Sequence, residues 1–217
     1  YNYDGYQLTI ELPKEYKKGE TYILYLKYTA RPEKVKDKGS IAITAAKGLY
    51  FINPTGSDPK KPTQIWTQGE TEANSCWFPT IDSPNQKTSQ EIYITVPNKF
   101  KTLSNGRLIS QEKSGTNRTD YWKLDQKHAP YLFFMGVGEY EVIEDSYNNI
   151  PVNYYVEKKY ASLAKDIFGL TPEMIGFFED KLGVAYPWNK YSQIVARDYV
   201  SGAMENTTAV VPGDDAY

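Results

Sequence analysis

Hydrophobic positions alternate with polar ones through roughly the first 145 residues. In "QLTIEL", Leu8, Ile10 and Leu12 fall on one side of polar neighbours, the period of two that marks a half-buried strand. "TYILYLKYTA" (residues 21–30) and "EIYITVP" repeat the pattern, the latter with Ile92, Ile94 and Val96 on one face. "SIAITAAKGLYFIN" (40–53) is more continuously apolar, as an interior strand would be. Turn signals separate these runs: "KKGE" at 17–20, "NPTGSDPKKP" at 53–62, "SNG" at 104–106 and "SGTN" at 114–117. Short strands so punctuated predict an antiparallel β-sandwich or saddle.

The period changes after about residue 150. "IPVNYYVEKKY" still reads as strand, but "YASLAKDIF" places Tyr160, Leu163, Ala164, Ile167 and Phe168 at helical spacing, closed by Gly169. "TPEMIGFFEDKLG" predicts a second helix, with Thr171 at its N-cap, Pro172 at its first position and Gly183 at its end. Ile175, Phe178 and Leu182 are expected on its buried face. "YSQIVARDYV" returns to strand. The chain thus predicts a mainly β fold with an α+β C-terminal part, and two domains, 1–149 and 150–217, with a boundary near Asn148 to Pro151.

Composition narrows the function. At 217 residues the chain is long enough to bury a core without disulfides, and its one cysteine, Cys76, allows no intrachain bridge. The net charge is −2 and basic residues occur only as isolated doublets, which argues against nucleic acid as a partner. No run approaches a membrane span. The Tyr- and Asn-rich composition gives only an expectation of an extracytoplasmic bacterial setting, periplasmic or secreted. The single histidine, His128, matters most, because a catalytic zinc site needs two or three imidazoles or cysteines in their place. No metal ligands and no catalytic residues are therefore expected within this chain.

Three carboxylates stand among small, apolar or turn-forming neighbours: Glu70 and Glu72 in "WTQGETEANSCWFPTIDSP", and Glu205 in "YVSGAMENTTA". Each reads either as a solvated loop carboxylate or as part of a pair that converges on a ligand ammonium, to which two carboxylates supply charge-assisted hydrogen bonds. His128 reads as a hydrogen-bonded turn or strand residue, Asp82 as the cap of the turn around Pro84, and Trp77 and Phe78 as core or as the floor of a cleft.

"TQGETEAN", "WFPTIDSP" and "VSGAMENTTA" together resemble the aminopeptidase N family of zinc metallopeptidases, which includes leukotriene hydrolase. The resemblance covers nearly the whole chain. It implies a β-rich N-terminal domain followed by the beginning of a thermolysin-like catalytic domain. By position, Glu70 and Glu205 match the two residues that hold the substrate's free amino terminus. Gln68 matches a glutamine of the first side-chain pocket. Gly202 and Ala203 match backbone running beside the substrate, and Met204 and Asn206 complete the same substrate-binding motif.

No H-E-x-x-H occurs in the chain. The resemblance therefore implies a segment ending before the zinc motif: zinc belongs to the full-length enzyme, and this part binds none. The implied partners are a peptide amino terminus and the remainder of the catalytic domain. A different reading of the same scaffold is a non-catalytic β-rich interaction module. Epoxide hydrolysis is a further possibility within the enzyme class, and nothing in the chain favours it.

Overall fold

The computed structural model describes residues 1–36 and 40–217. The chain opens with a two-residue ladder between β1 (Asn2–Tyr3) and β2 (Leu8–Thr9). Then come β3 (Leu49–Ile52), β4 (Gln64–Thr67), β5 (Thr88–Pro97), β6 (Lys101–Ser104), β7 (Arg107–Ser114), β8 (Asn117–His128) and β9 (Met135–Gly138). The C-terminal part holds β10 (Tyr140–Tyr147), β11 (Ile150–Glu157), the helices α1 (Ala164–Phe168) and α2 (Thr171–Leu182), β12 (Tyr191–Ile194), β13 (Ala203–Met204) and β14 (Ala209–Pro212).

The alternation of β5 does what its period requires: Gln90, Ile94 and Val96 are buried while Glu91, Tyr93 and Thr95 face out. β5, β8 and β7 form an antiparallel three-stranded sheet, and β3, β4, β9 and β6 an antiparallel four-stranded one. The third sheet runs β10-β11-β12-β14-β13, with β11, β12 and β14 parallel and an antiparallel strand at each edge. Residues of all three sheets share one core that includes Trp66, Leu103, Trp122, Phe134, Tyr155 and Val211. The helices cover the opposite face of the five-stranded sheet through Val152, Tyr154, Val156, Phe168 and Ile175. Burial on both faces is the usual condition of parallel strands.

β10 and β11 pair along their whole length across a tight turn at Asn148, whose φ is 51°. That turn is where the sequence places its domain boundary, so the five-stranded sheet draws strands from both sides of the expected division.

Several expectations are corrected. Residues 21–30, read as a half-buried strand, form no ladder, and Tyr22, Ile23, Tyr25 and Tyr28 are exposed, Ile23 to 92%. Likewise only Leu8–Thr9 and Leu49–Ile52 of the neighbouring predicted runs are extended in a sheet. Alternation prepares a face, but a strand is held by a hydrogen-bonded neighbour, and no described strand lies alongside residues 21–30.

On α2, Ile175 is buried, but Phe178 (56% exposed) and Leu182 (71%) are not. The helix instead docks through Thr171, Ile175 and Glu179, spaced i, i+4, i+8. Glu179 accepts hydrogen bonds from the Tyr147 hydroxyl and the Tyr186 N–H, both at 2.6 Å. Gly183 closes the helix in the left-handed conformation, as expected. Thr171 lies one position inside the start, with Leu170 at the cap.

Candidate functional site

β4 delivers the loop that carries Glu70. Just beyond its end, Gln68 is fully buried; its N–H donates to the Gly48 carbonyl and its Oε1 accepts the Glu70 N–H, each at 3.0 Å. The Gln68 Nε2 has no hydrogen-bond partner among the described residues. Gly69 admits no side chain, since a Cβ there would stand 2.3 Å from the Tyr131 carbonyl oxygen and 2.4 Å from Asn74 Nδ2. Glu70 is half-buried at this tightly packed point, whereas Glu72 is exposed.

The second arm begins where β12 ends. Arg197 donates its N–H to Gln64 Oε1 (2.9 Å) and its carbonyl accepts the Trp66 indole N–H (3.1 Å). Its guanidinium is shared between Glu157 (2.5 Å) and Asp214 (2.8 Å). The chain turns at Asp198, passes Tyr199 and enters β13, the edge of the five-stranded sheet. Ala203 pairs with Pro212 and Met204 with Val211, and the Gly202 carbonyl accepts the Gly213 N–H at 3.0 Å. Period-two geometry then sorts the motif: Met204 and Asn206 point inward, each 1% exposed, while Ala203 and Glu205 are exposed, as is Gly202. Neither amide atom of Asn206 has a partner among the described residues.

The two arms meet at an aromatic cluster. Tyr50 stacks on Trp66 (ring centroids 4.1 Å apart), and Tyr199 meets Trp66 edge-on at 4.9 Å. The Tyr199 hydroxyl is buried and unpartnered among the described residues. Burial first, then the charges of Tyr50, Glu205 and Glu70, push its pKa upward. Glu70 and Glu205, far apart in the chain, are the two carboxylates among those causes, after burial and Tyr50. Nothing in the sequence sets Tyr199 apart, since it is one of twenty tyrosines.

The remaining candidates take structural places. His128, expected to be hydrogen-bonded, is buried with neither ring nitrogen partnered among the described residues; its ring stacks on Phe133 at 4.4 Å. Burial lowers its pKa to about 4. Asp82 does not cap the Pro84 turn. Its Oδ2 instead accepts the Ser75 N–H at 2.7 Å, and burial raises its pKa despite that bond. Trp77 donates to Asn74 Oδ1 at 2.7 Å, and Phe78 stacks on Phe133.

A zinc ion does not fit the residues present. Among the described residues no three His, Cys, Asp or Glu side chains gather to hold a metal, and the one imidazole is packed against Phe133. Among them, too, no helix is long and apolar enough to cross a membrane.

Comparison with known proteins finds two family models that match the chain. The model of the Peptidase M1 N-terminal domain matches residues 1–132, and that of the Peptidase family M1 domain matches residues 167–215. Glutamyl aminopeptidase of Bos taurus is 31% identical over 135 residues, 59% of this chain and 14% of that protein. Aminopeptidase M1 of Arabidopsis thaliana is 26% identical over 161 residues, 74% of this chain and 18% of that protein. Glutamyl aminopeptidase of Rattus norvegicus is 31% identical over 164 residues, 73% of this chain and 17% of that protein. The chain thus spans less than a fifth of the length of these relatives.

Proposed function

Because this chain belongs to the peptidase M1 family, we propose that it is the amine-recognition segment of a longer zinc-dependent aminopeptidase, which removes N-terminal residues from peptides. In this reading Glu70 and Glu205 bind the substrate's terminal ammonium from two sides. The observation that supports it is that the strand leading to Glu70 and the segment leading to Glu205 pack together through Tyr50, Trp66 and Tyr199, with the Trp66 indole N–H held by the Arg197 carbonyl.

An ammonium offers its N–H donors to two carboxylates as charge-assisted hydrogen bonds, about twice as strong as neutral ones. An acylated or internal nitrogen offers one N–H and no charge. Bound there, it would leave two negative groups facing each other without a cation. The pair thus selects for a chain end.

The free edge of β13 adds the second element. An extended peptide lying along Gly202 and Ala203 could exchange backbone hydrogen bonds with a strand that, among the described residues, has a neighbour on one side only. Gln68, buried beside Glu70, would border the first side-chain pocket, with Met204 and Asn206 supporting the edge from beneath. The metal and the bond-breaking chemistry belong to residues other than these.

The test is kinetic. In the full-length protein, Glu70→Gln and Glu205→Gln each keep size and lose charge. Each should lower kcat/KM for an unblocked aminoacyl substrate by about thirtyfold or more. Wild-type values in both variants would remove the amine-anchor role.

A further inference from the structure

We propose that Asn74 and Asn105 are positioning residues that fix the spacing of Glu70 and Glu205 by gripping one turn, residues 130–134, from two sides. The inference rests on the reading in which those carboxylates bind an amine.

Both asparagines are fully buried. Asn74, in the Glu70 loop, donates its two amide hydrogens to the carbonyls of Pro130 (2.7 Å) and Phe133 (3.0 Å). Its Oδ1 accepts the Trp77 indole N–H at 2.7 Å. Gly69, next to Glu70, lies directly against the Asn74 amide and the Tyr131 carbonyl, so the loop cannot slide along the turn without a clash.

Asn105, just past the end of β6, works from the other side. Its Oδ1 accepts the Phe134 N–H at 2.7 Å, and its Nδ2 donates to the Leu132 carbonyl at 2.8 Å and to the Thr207 carbonyl at 2.7 Å. One amide hydrogen thus holds the 130–134 turn and the other holds Thr207, in the turn between β13 and β14 two residues after Glu205. The adjacent Gly106 N–H donates to Thr208 Oγ1 at 2.7 Å, a second tie to the same arm.

Both groups use every hydrogen and at least one acceptor position of their amides, with no slack. Loss of either leaves buried carbonyls unpaired and removes a tie between the turn and the arm that carries a carboxylate. The route from Glu70 to Glu205 therefore runs through Asn74, the 130–134 turn, Asn105 and Thr207.

A double-mutant cycle separates positioning from plain stability. In the full-length protein, Asn105→Ala should lower kcat/KM for a free-amine aminoacyl substrate about tenfold when Glu205 is present. Combined with Glu205→Gln, the same substitution should cost less than about twofold, because the group it positions is already disabled. Its melting temperature should fall equally in both backgrounds. Should Asn105→Ala not fold, Thr208→Val loosens the same arm and enters the same cycle.

An equal kinetic loss in both backgrounds overturns the positioning role while leaving the amine reading intact. Wild-type kinetics in both Glu205→Gln and Glu70→Gln overturns the amine reading, and the positioning role with it.

Discussion

The indole of Trp66 and the phenol of Tyr199 meet edge-to-face at 4.9 Å, and each aromatic leads within a few residues to one of the two candidate carboxylates. Trp66 is 1% exposed and its N–H is held by the Arg197 carbonyl, so the contact joins the four-stranded sheet to the strand-and-turn arm that carries Glu205. Edge-to-face pairs add about 0.5–1.5 kcal/mol beyond their burial.

Truncating Trp66 should therefore be costly. Trp66→Ala is expected to destabilise the protein by about 3–5 kcal/mol through the cavity it leaves. Tyr199→Phe keeps the ring and removes only a buried hydroxyl that has no partner among the described residues. It should leave stability unchanged or raise it by up to about 2 kcal/mol. Urea denaturation of the two variants checks both signs.

His128 makes the fold acid-sensitive. Its folded pKa is lowered to about 4 by burial, against an unfolded value near 6.5. The unfolded chain therefore binds the extra proton first, and stability is lost as pH falls from about 6.5 to about 4. The full effect is on the order of 3 kcal/mol. His128→Phe, which keeps an aromatic ring against Phe133, should flatten the pH dependence of the urea midpoint in that window. An unchanged slope would show that other groups carry it.

Asp120 has the opposite need. Burial resists its ionisation, yet donors from Arg118 (2.5 and 2.8 Å), Thr102 (2.6 Å) and Gln111 (2.9 Å) prevail and draw its pKa below the usual value. Stability from this group is present above the unfolded carboxylate pKa and is lost as pH falls through the lower, folded one. Asp120→Asn leaves the Arg118 guanidinium without its counter-charge and should cost about 3–5 kcal/mol by denaturant titration near neutral pH. A cost under about 1 kcal/mol would mean that Arg118 is adequately served by the Asn98 and Phe100 carbonyls alone.

What the sequence made legible follows from how local each signal is. The inward set of β5 and the Gly183 helix end are written in a few neighbouring residues, and both take the predicted form. The family resemblance rests on short motifs carried intact, and the matched family models bear it out. Residues 21–30 read as strand on their β-prone apolar composition, but pairing is a property of the partner strand and is not encoded in the run itself. For α2, helical spacing allowed more than one stripe. Contacts with Tyr147, Tyr186 and the sheet chose the one through Ile175 and Glu179.

The candidate site divides in the same way. Glu70 and Glu205 were visible because a charge among small and apolar residues is conspicuous. Asn74, Asn105 and Tyr199 were not, because an asparagine in a loop and a tyrosine in a β-rich chain are commonplace. Only the carbonyls that close around Asn74 and Asn105, and the buried position of the Tyr199 hydroxyl, set them apart.

The most direct measurement compares a free-amine aminoacyl substrate with its N-acetylated counterpart in the full-length protein, with and without Glu205→Gln and Glu70→Gln. The account predicts a strong preference for the free amine that shrinks by about thirtyfold or more when either carboxylate loses its charge. A preference that survives both substitutions undiminished would contradict it.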